Sequence, residues 1–188
     1  MESVSKCNKR EQIQKAALHL FTNQGFHATP TAQISKEAGV STGTLFHYYP
    51  DKNALIDQLY ITIKKEIHEA IRNCDDESLP IKLLLENGFI RYIHWGMQNP
   101  EKVQFIEQFH NSPNISEAIH TKAYEEFKWM NEYYEIAIRE RILSDQPIQY
   151  HKVMIYQILN GILKLIKNEK NISSAEEIIS AGLEKIWR

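Results

Sequence analysis

Apolar residues recur at helical spacing along almost the whole chain, and the stretches between them are short and polar. Ile13, Ala16, Ala17, Leu20 and Phe21 make one face of a first helix, expected over residues 9–24. Gly25 stands where a left-handed stop is needed, and Phe26 is placed to fold back as the apolar contact beyond it. A second helix should begin at Pro30 or Thr31, capped by the Thr29 hydroxyl, and run through Ile34 to Ala38. Gly39 supplies a turn and Val40 an apolar plug. Ser41 then caps a third helix from Thr42 to about Tyr48, with Leu45 and Tyr49 facing inward. Pro50 breaks the chain and Asp51 caps a fourth helix over residues 52–72. Leu55, Ile56, Leu59, Ile63, Ile67 and Ile71 run along its length as one stripe.

Residues 73–80 are polar and acidic and read as a joint. Beyond them, residues 81–99 are apolar on two faces, one with Ile81, Leu84, Leu85, Gly88, Tyr92 and Trp95, the other with Leu83, Ile90, Ile93 and Met97. Such a helix belongs inside a bundle. A short helix over 101–110 and a long one over 116–143 should follow. After Asp145, Gln146 and Pro147 come two last helices, about 149–167 and 174–187, the second with a Ser174/Glu177 capping box. Gly161 and Gly182 sit inside these helices at a cost of about 1 kcal/mol each relative to Ala, which points to close approach of another helix. The pattern predicts an all-α protein. An N-terminal three-helix unit, residues 1–50 with the start of a connecting helix at 51–72, should precede a helical domain over 73–188.

Composition changes this picture little. The chain has 188 residues, 43% hydrophobic and 24% charged, with 7 Gly and 6 Pro, as expected of a globular helical protein. No apolar run approaches the roughly 18–20 residues of a membrane helix, and the N-terminus lacks the apolar segment of a signal peptide, so a cytoplasmic location and no membrane partner are expected. Cys7 and Cys74 suit a reducing compartment. Eight His residues show no metal-ligand spacing. There is no CxxC, no Gly-rich phosphate loop and no nucleophile–base pair at a telling spacing, so neither catalysis, nor a metal, nor a cofactor is expected. Net charge is −2. Residues 1–60 hold six Lys/Arg against five Asp/Glu, and the remainder sixteen against nineteen. The asymmetry favours an anionic partner at the N-terminal end only weakly.

Residues 29–52 carry the chemistry. Two short helices around a glycine turn form a helix-turn-helix, whose second helix enters a DNA groove. Its first turn must come close to the duplex, and Ser41, Thr42, Gly43 and Thr44 are small. Hydroxyls and backbone N–H groups there can hold phosphate oxygens. His47 and Tyr48 project outward if Leu45 and Tyr49 face in, and Lys52 is within reach of a flanking phosphate. Lys6, Lys9, Arg10 and Lys15 gather near the start of the first helix. On spacing alone, a plain helical corner with core tyrosines remains the alternative.

The segment from 25 to 55 resembles the N-terminal domain of the TetR family of transcriptional regulators. The likeness lies in Gly25-Phe26, Thr29, Ile34, the run Ala38-Gly39-Val40-Ser41, Gly43, Leu45, then His47-Tyr48-Tyr49 and Lys52 with Leu55. It implies a homodimeric repressor that binds a palindromic double-stranded DNA operator and is released by a small effector. Carried over by position, Thr31, Ser41, Thr42, Gly43, Thr44, His47, Tyr48 and Lys52 fall where members contact DNA. Pro30, Ser35, Phe46 and Tyr49 depart from the usual residues, and Pro30 removes one possible phosphate hydroxyl.

In the helical domain, Tyr92, Trp95, Phe105, Phe109, Phe127 and Met130 are candidates to line a pocket for a small apolar or aromatic effector, against ordinary core packing for each. By resemblance the last two helices pair with a second copy. Ile155, Leu159, Ile162, Ile166, Ile178, Gly182, Leu183 and Ile186 are the expected dimer surface. A helical scaffold without DNA binding is the competing reading, and it leaves residues 29–52 without a purpose.

Overall fold

The computed structural model describes residues 2–72, 78–110, 112–168 and 172–187, and the side chains of 2–8 and 172–174 are outside that description. Cys74 therefore lies outside the described residues, as do the side chains of Lys6, Cys7 and the Ser174 of the expected capping box. The described residues are helical, as α1 Glu2–Gln24, α2 Thr31–Glu37, α3 Thr42–Tyr48, α4 Lys52–Arg72 and α5 Ile81–Gln98, then α6 Pro100–Phe109, α7 Glu117–Glu126, α8 Met130–Arg139, α9 Ile148–Asn168 and α10 Ile172–Leu183. Among them, no helix is long and apolar enough to cross a membrane.

The chain divides into two compact units. One combines Met1–Lys65 with Pro100–Ala123, the other Glu66–Asn99 with Tyr124–Arg188. This division differs from a boundary after the fourth helix, because α6 and the first part of α7 group with the N-terminal helices. Packing explains the grouping. Phe105, Ile106 and Phe109 of α6 are buried, and the Phe109 ring lies 6.4 Å from Phe21 of α1. The core of this unit also takes Ile13, Ala17, Ile34, Leu45, Leu55 and Ile56, each with no exposed surface. Burying each of these Ile and Leu side chains contributes roughly 1.5–3 kcal/mol.

In the second unit α9 packs on α5 and α10. Tyr92 donates its hydroxyl proton to Asn160 Oδ1 at 2.9 Å, satisfying two buried polar groups at once. A Cβ on Gly182 would meet Ile162 side-chain carbons at 2.5 Å, so this glycine is what lets α10 lie close to α9.

Several helix boundaries depart from the sequence pattern. The long helix expected over 116–143 is broken, with Phe127, Lys128 and Trp129 forming a turn of i to i+3 hydrogen bonds. No Gly or Pro marks the break. Phe127 and Trp129 instead pack their rings 5.8 and 5.9 Å from His68 of α4. The second half then stops at Arg139 rather than Leu143. Arg141 adopts φ +61°, and the Ile142 N–H closes back on Ala137 O, a left-handed helix stop normally built with glycine. It lets Leu143 turn into the core with 1% exposure. At the other end of the chain α1 begins at Glu2, ahead of the expected residue 9.

Candidate nucleic-acid interface

The α2–α3 corner is assembled by local chemistry. Gly39 takes φ +65°, a region side chains enter at a cost, and the Val40 N–H closes on Ser35 O at 3.0 Å. Ala38 is 7% exposed, small enough to let α2 turn against its neighbours. Ser41 caps α3, its hydroxyl accepting from the Thr44 N–H at 3.1 Å and lying 2.9 Å from the Thr44 hydroxyl. Asp51 caps α4 through the Ala54 N–H at 2.7 Å. Leu45 is wholly buried and Tyr49 nearly so, with the Arg10 Nε donating to the Tyr49 hydroxyl at 3.4 Å.

At α2 the expected cap is replaced. Pro30 is itself the cap residue, with φ −70° and ψ 145° and no side-chain cap bond. Thr29 is fully buried and donates its hydroxyl proton to Gly25 O at 2.7 Å, so it fastens the α1–α2 loop instead of capping α2. The first N–H groups of α2 are thus left for an outside acceptor.

With Leu45 anchored inward, α3 turns Thr42, Gly43, Phe46 and His47 to solvent and holds Thr44 and Tyr48 half-buried. The His47 and Tyr48 rings meet edge to face at 5.4 Å, which limits the positions either can take. Thr31 at the start of α2 is half-buried, and Ser41 at the head of α3 is exposed. The predicted contact residues Thr31, Ser41, Thr42, Gly43, Thr44, His47 and Tyr48 are therefore gathered on one corner of the first unit.

Lys52 has work inside the chain. Its ammonium donates to Phe26 O at 2.8 Å and Thr29 O at 3.1 Å and lies 4.2 Å from the centre of the Phe26 ring. Burial lowers its pKa. The lysine expected to reach a flanking phosphate also ties the α1–α2 loop to the first turn of α4. Sequence spacing could not show this, because the acceptors are main-chain carbonyls more than twenty positions away. Phe46 is the residue that sequence reasoning passed over. It is 44% exposed in the middle of α3. Its signal was its own substitution, a large apolar side chain on the polar face of a short helix.

The arrangement is a helix-turn-helix with an open second helix, and its relatives decide the family. Residues 13–59 match the model of the bacterial regulatory proteins, tetR family. The chain is 26% identical over 172 residues to the HTH-type transcriptional regulator YxaF of Bacillus subtilis, covering 89% of each. This chain belongs to the TetR family. Its N-terminal part is also 37% identical over 65 residues to the HTH-type transcriptional regulator BetI of Escherichia coli, a match spanning a third of that protein. A crystal structure of a TetR-family transcription regulator from Shewanella sp. PV-4 superposes with a TM-score of 0.85 at 28% identity, covering 95% of this chain and 96% of that one. This TetR-family chain is accordingly a transcriptional regulator with a DNA-binding helix-turn-helix, and not an enzyme.

The second set of expectations fares differently. Tyr92, Trp95, Phe105, Phe109, Phe127 and Met130 are not brought together in one pocket. Phe105 and Phe109 pack on each other at 4.7 Å in the core of the first unit. Tyr92 stacks on Trp95 at 6.2 Å and spends its hydroxyl on Asn160. Phe127 packs on His68. Met130 alone of the six lines a small apolar cavity in the second unit, with a volume of about 10 Å³, together with Ile71, Leu84, Leu85, Gly88, Phe89, Trp129 and Tyr133. Aromatic content marked the core rather than a ready-made pocket.

The expected dimer surface is likewise occupied. Ile155, Leu159, Ile162, Leu183 and Ile186 are buried within the chain, and Gly182 is taken up by Ile162, while Ile166 and Ile178 are half-buried. The opposite face of α9 is the open one. Tyr150, Val153, Met154 and Leu165 are 44–60% exposed there. Gly161 lies in the same stripe, and a Cβ built on it meets no atom within 4 Å.

Proposed function

We propose that this TetR-family regulator is a cytoplasmic homodimeric repressor that reads a palindromic operator and leaves it when a small molecule binds. The observation that carries the DNA-reading part is the exposed face of α3, where Thr42, Gly43, Phe46 and His47 stand free over a buried Leu45. Small residues at the helix start allow close approach. Thr31, Ser41 and Thr44 offer hydroxyls to phosphate oxygens, and His47 and Tyr48 touch the backbone or base edges. Phe46 is an apolar surface suited to a thymine methyl in the major groove. Lys52 acts here as a positioning residue, with its one remaining donor available to phosphate.

Dimerisation is assigned to the open stripe of α9. A glycine in mid-helix costs about 1 kcal/mol, and among the described residues no atom comes within 4 Å of a Cβ built on Gly161 to justify that cost. A second copy crossing at Gly161, with Tyr150, Met154 and Leu165 around it, supplies a reason. Two-fold pairing then calls for a palindromic operator. The effector is placed in the second unit, at the cavity beside Trp129, Met130 and Tyr133. Support comes from Trp129 Nε1, which is buried and without a hydrogen-bond partner among the described residues. Room for one water means that a larger apolar or aromatic ligand must displace the turn at 127–129.

These parts are tested separately. DNA selected from a random pool should be palindromic, and Tyr48→Ala should weaken binding while the protein stays dimeric. A selected set without two-fold symmetry speaks against the dimeric reader. Leu165→Glu should shift the solution mass, by light scattering, from two chains to one. An unchanged mass removes the α9 assignment.

A further inference from the structure

Tyr49 joins the end of the reading helix to α1. It leaves α3 in an extended conformation, φ −136° and ψ 112°, as its N–H closes on Leu45 O at 2.9 Å. The ring is thereby turned into the core of the first unit, with 3% exposure. At the edge of that core the Arg10 Nε donates to the Tyr49 hydroxyl at 3.4 Å. A phenol so nearly buried calls for a polar partner at its hydroxyl. Tyr49 is also one of the positions where the reading segment departs from the residues usual in its relatives.

Arg10 is exposed and makes no other hydrogen bond or ion pair among the described residues. Its two terminal nitrogens keep four N–H donors, and a guanidinium holds its charge at any physiological pH. Lys9 and Lys15 are exposed on the same helix, as is Glu11. Residues 9–15 thus hold three cations and one carboxylate, a net of +2. A single bond at Nε restricts the guanidinium plane and leaves its outer edge open, which suits bidentate pairing with a phosphate. α3 has seven residues and is about 10 Å long, close to the roughly 12 Å width of a major groove. A helix of that length in the groove brings groups just beyond its ends within reach of the flanking backbones. Ser41 stands at one end, and the Tyr49–Arg10 pair at the other.

We propose that Arg10 is a further phosphate contact of the DNA-reading unit, and that Tyr49 is the positioning residue that aims it. This rests on the DNA-reading part of the function proposed above. The ring of Tyr49 fills the core, and its hydroxyl, which that packing does not need, sets the guanidinium beside the end of α3. An arginine aimed in advance loses less side-chain freedom on binding than a free one. The contact fixes register on the duplex and carries no base information.

Fluorescence anisotropy on a duplex selected by the whole protein, and on an unrelated duplex, tests this across a salt series. Arg10→Met should weaken binding roughly tenfold on both duplexes and lower the slope of log affinity against log salt by about 0.9 for each chain bound. Arg10→Lys keeps the charge and should restore most of that slope. Tyr49→Phe keeps the ring and should weaken binding about threefold with the slope retained, an effect that should vanish in the Arg10→Met background. A hydroxyl with a purely structural role would act equally in both backgrounds, and that result would overturn the assignment of Tyr49. Unchanged affinity and slope in Arg10→Met, or a loss confined to one base pair of the selected site, would overturn the phosphate contact. A wild type that binds no selected duplex would remove the regulator reading and this contact with it, whereas normal wild-type binding with indifferent variants would remove the contact alone.

Discussion

Two corners of this chain turn one helix into the next by opposite means. Between α2 and α3, a glycine at φ +65°, a serine cap and a buried leucine do the work within ten residues. Between α7 and α8, no glycine, proline or cap is present, and the turn is held by Phe127 and Trp129 packing on His68 from a distant helix. The first corner carries its shape in its own sequence and can therefore present a fixed face to an outside partner. The second takes its shape from what packs against it, which makes it the more easily rearranged of the two. A reader of DNA needs the first property, and a sensor of small molecules the second.

The comparison can be broken by substitution. Leu45→Ala should have the largest effect, about 2–5 kcal/mol of stability by urea unfolding, because the anchor of the reading helix is wholly buried. Trp129→Ala should cost about 1–3 kcal/mol, as its ring is only partly buried. It should also slow hydrogen exchange at residues 127–130 as α7 and α8 join into one helix. Faster exchange there would mean that the turn is fixed locally after all. Ser41→Ala should cost about 1 kcal/mol through the lost cap and should leave the α7–α8 exchange pattern untouched.

The smallest effect concerns pH. His110 has a folded pKa below its unfolded value, so it takes up protons more readily when the chain unfolds. Its contribution to stability is complete above about pH 6.5 and is lost as pH falls from there toward the folded value. The melting temperature should decline over that window, and less so in His110→Gln. An equal decline in both would assign the acid sensitivity elsewhere.

This contrast also accounts for what was legible in the sequence. Gly25, Gly39, Ser41 and Asp51 announce their turns and caps because the residue type alone selects the backbone state. The exposure of Thr42 and His47 follows from Leu45 by helical spacing. What escaped notice depended on distant partners. Lys52 binds main-chain carbonyls of another loop, and Thr29 turned from a cap to a loop fastener once Pro30 occupied the cap position. Arg141 took a left-handed stop that glycine usually signals. The apolar faces of α9 and α10 were read as a surface for a second copy, yet periodicity cannot say which neighbour covers a face. Ile162 against Gly182 shows that much of it is covered from within.

The most direct measurement is fluorescence anisotropy on a duplex selected by the protein itself, across a salt series and with Phe46→Ala beside the wild type. A reading face on α3 predicts affinity that falls by orders of magnitude from about 50 to 200 mM salt. Phe46→Ala should retain the salt slope and lose preference at a thymine position. Failure to select any sequence, or binding that ignores salt and Phe46 alike, would contradict it.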